Sequence, residues 1–126
     1  MPNTEISPFN LDEDSRTEAI IFNIQSPLNI EYWVFLACPY PLEVTRVMAE
    51  TETGSLNVSL VRKRGATTTV LADFEEIPIS GALATLTSSS DNTFIVDDEF
   101  YLLISNVTDA TRLRLQIDFI RTYAQT

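Results

Sequence analysis

Apolar and polar residues alternate with a period of two along much of this chain. Leu113, Leu115, Ile117 and Phe119 alternate with Arg112, Arg114, Gln116 and Asp118. Such a stretch is a strand with one face toward a core and one toward water. Leu56-Asn57-Val58-Ser59-Leu60 repeats the pattern. Further strands are predicted over residues 19–24, 30–37, 42–50, 67–74, 93–96 and 99–105, bounded by Pro27, Cys38-Pro39-Tyr40-Pro41, Gly54 and Asp97-Asp98. Residues 75–91 are less regular, with a short strand at 77–79 and a polar loop at 87–91. Arg62-Lys63-Arg64-Gly65 reads as a turn, because Gly65 is free to take positive φ. No segment of ten or more residues carries a helical stripe.

Strands recurring at intervals of about 8–12 residues predict a sandwich or barrel. The expectation is an all-β protein, an antiparallel β-sandwich of jelly-roll-like type over residues 19–126, with a short extended N-terminal arm over residues 1–18. Its core is predicted to hold Leu56, Val58, Leu60, Leu113, Leu115, Ile117 and Phe119. Two strands break the alternation: residues 30–36 and 100–104 are apolar on both faces. A two-layer sandwich hides only one face of a strand, so the arm, a loop or another subunit must cover the second. Trp33, Phe35, Tyr101 and Leu103 are therefore the expected oligomer interface. Trp33 with Phe35 also suits a sugar-stacking platform, a reading that their place in an apolar run disfavours.

The arm is polar, yet carries Ile6, Phe9 and Leu11 among turn formers and acids. A disordered tail has no use for such residues, so the arm is expected to lie either against a partner or along the edge of its own sheet. On the partner reading, Phe9 and Leu11 are the anchors, and Asp12, Glu13, Asp14 and Glu18 meet basic groups.

Charge and composition narrow the chemistry. A chain of 126 residues can bury a core large enough to fold without a metal or disulfide. Eight Lys+Arg stand against eighteen Asp+Glu, giving a net charge of −10. Binding to nucleic acid or to an anionic membrane surface is disfavoured, since both require cations. No run of about 18 apolar residues is present to span a membrane as a helix, and no signal peptide is expected from the N-terminal residues. There is no histidine, one cysteine and three glycines. These counts remove the His-based triads, the usual zinc sites and the phosphate-binding glycine loops. No enzyme and no cofactor are expected, with a carboxylate-pair hydrolase the catalytic class left open. Cys38, in an apolar stretch, reads as a buried small hydrophobe.

Asp97-Asp98-Glu99 is a compact acidic cluster. Its spacing lacks the ligand pattern of a calcium loop, so a solvated turn is the favoured reading over a metal site. The basic run at 62–64 is read as a solvated hairpin tip in preference to a grip on an acidic partner. Asn57-Val58-Ser59 and Asn106-Val107-Thr108 match the glycosylation sequon, which carries no weight without a secretory signal.

Residues 40–117 resemble a β-sandwich module of tailed-bacteriophage virion proteins. The resemblance is carried by Tyr40-Pro41-Leu42-Glu43-Val44-Thr45-Arg46-Val47, by residues 51–60, by Thr93-Phe94-Ile95-Val96-Asp97-Asp98-Glu99-Phe100-Tyr101-Leu102-Leu103-Ile104 within residues 87–107, and by residues 110–117. Asp97-Asp98 stands where similar modules usually carry a Gly-Asp pair. The resemblance implies a non-enzymatic virion component, assembled in the host cytoplasm. Its first implied role is a head decoration or cement protein that clamps capsid subunits. The alternative is a tail-fibre or baseplate appendage that binds a host surface glycan. The major capsid protein or another virion protein is the implied partner, and a homotrimer the implied oligomer.

Overall fold

The computed structural model describes residues 17–88 and 92–122. Every strand pairing is antiparallel. The strands are β1 (Thr17–Ile24), β2 (Glu31–Phe35), β3 (Leu42–Arg64), β4 (Thr67–Val70), β5 (Ile77–Ile79), β6 (Ala84–Thr87), β7 (Thr93–Phe94) and β8 (Glu99–Arg121). The all-β, antiparallel class expected from the alternation is the class observed.

The spine is a ribbon of two 23-residue strands, β3 and β8. They pair from Leu42↔Arg121 at one end to Lys63↔Glu99 at the other. β1 and β2 flank β8, on its C-terminal and N-terminal halves respectively. β4 to β7 flank β3. Expectation and structure differ here, since residues 42–50 and 56–60 are one strand, as are 99–105 and 113–119. The interruptions that the sequence suggested are absorbed as bulges. The register shifts at Thr53/Ser55 and Ser55/Asn57, while Gly54, Asn106, Asp109 and Arg112 take positive φ. A bulge leaves pairing intact on either side while bending and twisting the ribbon.

That bend creates the core. Phe94 is the β7 residue opposite Leu42, and Phe100 is the β8 residue opposite Arg62. A straight strand would put those two levels roughly 65 Å apart. The rings of Phe94 and Phe100 instead stack at 4.2 Å. The ribbon therefore doubles back, and the layering comes from one hydrogen-bonded sheet folded over itself. The seven predicted core residues, from both halves of the ribbon, lie in one buried cluster.

Local details follow from residue type. Gly65 has φ +60 and opens the two-residue β3–β4 loop, as expected. Positive φ at the first loop residue alone matches a type II′ hairpin. Residues 67–74 are not one strand: Leu71 N–H donates to the Leu60 carbonyl, a 3₁₀ turn follows at Ala72–Phe74, and Phe74 plugs the core. β1 takes up Thr17 and Glu18 from the expected arm. Glu18, expected to meet a partner, is paired with Arg121 at 2.5 Å. Phe9, Leu11, Asp12, Glu13 and Asp14 lie outside the described residues.

Candidate interaction surface

The inner faces of the folded sheet are consumed by the core, which leaves the two outer faces for contact with other molecules. They differ in kind.

On the half built from β1, the C-terminal part of β8, the N-terminal part of β3 and β6, one row runs Ile21–Gln116–Met48–Thr85. Polar residues interrupt it, and its charges are satisfied within the chain. Asp118 is buried and accepts from Arg46 Nε at 2.7 Å and Gln116 Nε2 at 2.7 Å. Arg114 pairs with Glu50, and Arg112 with Glu52. Ile21, Met48 and Leu83 line a shallow groove of about 220 Å³ amid these pairs.

On the other half, the register places Trp33 (β2), Tyr101 (β8), Val61 (β3) and Val70 (β4) side by side. This row crosses four strands without a polar interruption. The rings of Trp33 and Tyr101 are 4.7 Å apart and tilted by 52°. Val61 is buried yet stands outside the main core cluster, as expected of a side chain covered by its neighbours in this row. Trp33 remains 41% exposed and Val70 36%. Leu103 extends the row along β8, opposite Glu31. Glu31 and Glu99 flank the aromatic pair, two residues along β2 and β8 from it, and Lys63 stands opposite Glu99 on β3. Burial, then the negative charge of Glu31 and Glu99, raises the Tyr101 phenol above its ordinary pKa.

Three of the four residues expected at the oligomer interface, Trp33, Tyr101 and Leu103, thus share one outer face. Phe35 does not. In a regular strand Trp33 and Phe35 would point the same way, but the register shifts between them. Phe35 consequently packs on Tyr40 at 6.2 Å and on Phe100 at 6.5 Å, against the core. The alternation read from the sequence missed Val61 and Val70. The signal for Val61 was present: continuing Asn57, Ser59 by two reaches it, an apolar residue in an outward position. Val70 carries no such mark, because its place depends on the β3–β4 register.

The charged motifs are structural. Asp98 is 2% exposed, not solvated as expected. Its carboxylate receives Arg64 Nε at 2.9 Å, Arg64 Nη2 at 2.8 Å and the Ile95 N–H at 2.9 Å. Burial alone would raise its pKa. Arg64, the Ile95 N–H and Arg62 outweigh that and hold it below the usual aspartate value. The basic run is likewise no free hairpin tip, since Arg64 is spent on Asp98 and Arg62 donates to the Thr93 carbonyl at 2.8 Å. These contacts tie the hairpin to the turn before β8. Cys38 lies behind the same turn: its N–H donates to the Asp98 carbonyl. It is buried, and burial followed by the charge of Asp98 pushes its thiol up to about 12. Among the described residues no group of three or more Cys, Asp or Glu side chains is placed to hold a metal ion.

Fold and surface together define an antiparallel all-β protein with one outer face that carries an uninterrupted apolar row. No protein-family model matches the chain, and no curated protein matches it.

Proposed function

We propose that this chain is a non-enzymatic structural protein that attaches to a larger assembly through the Trp33–Tyr101–Val61–Val70 face. The observation that carries the reading is that row: four apolar side chains in register on an outer sheet face, with a half-exposed tryptophan. Aromatic residues in such positions are the usual anchors of protein contacts. The resemblance of residues 40–117 supports the setting, a tailed-bacteriophage virion, with head decoration as the role and the major capsid protein or another virion protein as partner. A homotrimer belongs to the same reading. Three copies of one small face on one particle multiply a contact that is weak singly.

The test mixes purified protein with phage heads and sediments the particles. Wild type co-sediments in many copies per particle. Trp33→Asp, folded by far-UV circular dichroism, is left in the supernatant. Undiminished co-sedimentation of folded Trp33→Asp overturns the reading.

A further inference from the structure

Resting on that docking reading, we infer that the outer face receives an arginine-bearing segment of its protein partner, whose guanidinium seats on Trp33 and Tyr101 between Glu31 and Glu99. Three observations lead there.

The first is the composition of the face. A tilted aromatic pair offers its π-faces, and two carboxylates flank it on β2 and β8. An arginine satisfies both at once, stacking on a ring and forking onto a carboxylate. Lysine, a compact and strongly hydrated charge, meets the carboxylates without the planar stack.

The second is that this chain already contains the completed arrangement elsewhere. The Arg121 guanidinium lies 4.0 Å from the centroid of the Tyr40 ring and is paired with Glu18 at 2.5 Å. There, aromatic ring, guanidinium and carboxylate all come from one chain. On the outer face the ring and carboxylates are in place. Among the described residues, no arginine stacks on Trp33 or Tyr101.

The third separates a foreign partner from a second copy. A second copy would have to supply the arginine, and the described arginines are engaged, while Lys63, the chain's one lysine, already stands opposite Glu99 on this face. Arg46, Arg64, Arg112, Arg114 and Arg121 sit in ion pairs, and Arg62 holds the Thr93 carbonyl. With a net charge of −10, another copy would set carboxylate against carboxylate at Glu31 and Glu99. Like charges brought together at an interface select against that partner. The row is therefore a particle-facing surface, and the trimer contact lies elsewhere.

Trp33 is the chain's single tryptophan, so its fluorescence reads this face alone. The probe is an acetylated Gly-Arg repeat octapeptide amide, with the citrulline version as a neutral isostere and a Gly-Lys version as a second cation. The Arg peptide is expected to change Trp33 emission saturably, the Lys peptide to bind several-fold more weakly, and the citrulline peptide to have no effect. The double variant Glu31→Gln/Glu99→Gln keeps the fold and the aromatic pair, and should weaken Arg-peptide binding about tenfold. An equal response to arginine and citrulline, or undiminished binding by the double variant, overturns the inference. So does a concentration-dependent oligomer that Trp33→Asp abolishes, which would make a second copy the occupant. If Trp33→Asp fails to co-sediment while the Arg peptide leaves Trp33 unchanged, docking stands and the arginine is wrong. If folded Trp33→Asp co-sediments fully, docking itself fails and takes this assignment with it.

Discussion

The Arg64–Asp98 pair offers the sharpest test of how the end of the β3–β8 ribbon is fastened to the turn before β8. Asp98→Asn removes the charge but keeps a carbonyl oxygen that can accept the Ile95 N–H. Asp98→Ala removes both. Arg64 is 46% exposed, so water rehydrates it when its partner is lost. The cost is thus below the roughly 3–5 kcal/mol of breaking a fully buried pair. Hydrogen bonds to charged groups contribute about 1.5–3 kcal/mol each, and an orphaned buried N–H costs a further ~1–3 kcal/mol. About 1–2 kcal/mol is expected for Asp98→Asn and about 2–3 kcal/mol for Asp98→Ala, measured by urea denaturation at pH 7. The pH dependence is the stronger check. Folding holds this carboxyl below its ordinary value, so the unfolded state binds the proton more readily. The resulting stability is fully present above the unfolded value of roughly 3.9 and is lost as pH falls through the folded value. The gap between wild type and Asp98→Asn should therefore close on acidification, the remaining carboxylates titrating alike in both. Because Asp98 is buried, added salt at pH 7 should leave most of the gap in place. A gap that stays constant from pH 7 to pH 2 would refute the assignment of a charged, paired Asp98.

Two other outcomes follow from backbone and burial. A Cβ on Gly54 would lie 2.2 Å from the Asp109 carbonyl oxygen at φ +70, whereas one on Gly65 meets nothing within 4 Å. Gly54→Ala should thus cost about 2–4 kcal/mol and Gly65→Ala only about 1–2 kcal/mol by thermal melting, and equal losses would remove the argument for a tight bend. Cys38, buried and with its thiol pushed up to about 12, should resist iodoacetamide at pH 8 in the folded protein and react once unfolded; rapid labelling of the folded protein, read by mass spectrometry, is the contrary result.

The parts of this fold that were legible share a cause. Alternation is a local property, and it located Leu113, Leu115, Ile117, Phe119 and the Leu56–Leu60 stretch on core faces because each sits in regular pairing. Strand length was not legible. Gly54 and the polar stretch at 106–112 look like breaks, yet the backbone passes through positive φ at four positions there and resumes its ladder. Whether a local irregularity ends a strand or bulges it is decided by the partner strand opposite, which a linear reading does not contain. The charged motifs failed for the same reason. Arg64 and Asp98 are 34 residues apart in sequence, and only the β3–β8 register, which sets Lys63 opposite Glu99, brings a basic tip and an acidic turn together.

The outer apolar row lies between these cases. Residues 30–36 and 100–104 carry more apolar side chains than one sheet face can use, and that surplus was visible as composition. Assigning the surplus to faces required the register shift between Trp33 and Phe35. Without it, both rings would point outward and the core would lose a packing partner of Tyr40 and Phe100. With it, one ring closes the core and the other joins Tyr101, Val61 and Val70 outside. An irregularity that costs one rung of pairing thus lets a single short strand supply one ring to the core and one to the outer apolar row. Bulges on edge strands also blunt edge-to-edge pairing. That favours association of β2 through its side chains, where aromatic rings and flanking carboxylates can discriminate among partners, over backbone pairing, which any extended segment can satisfy.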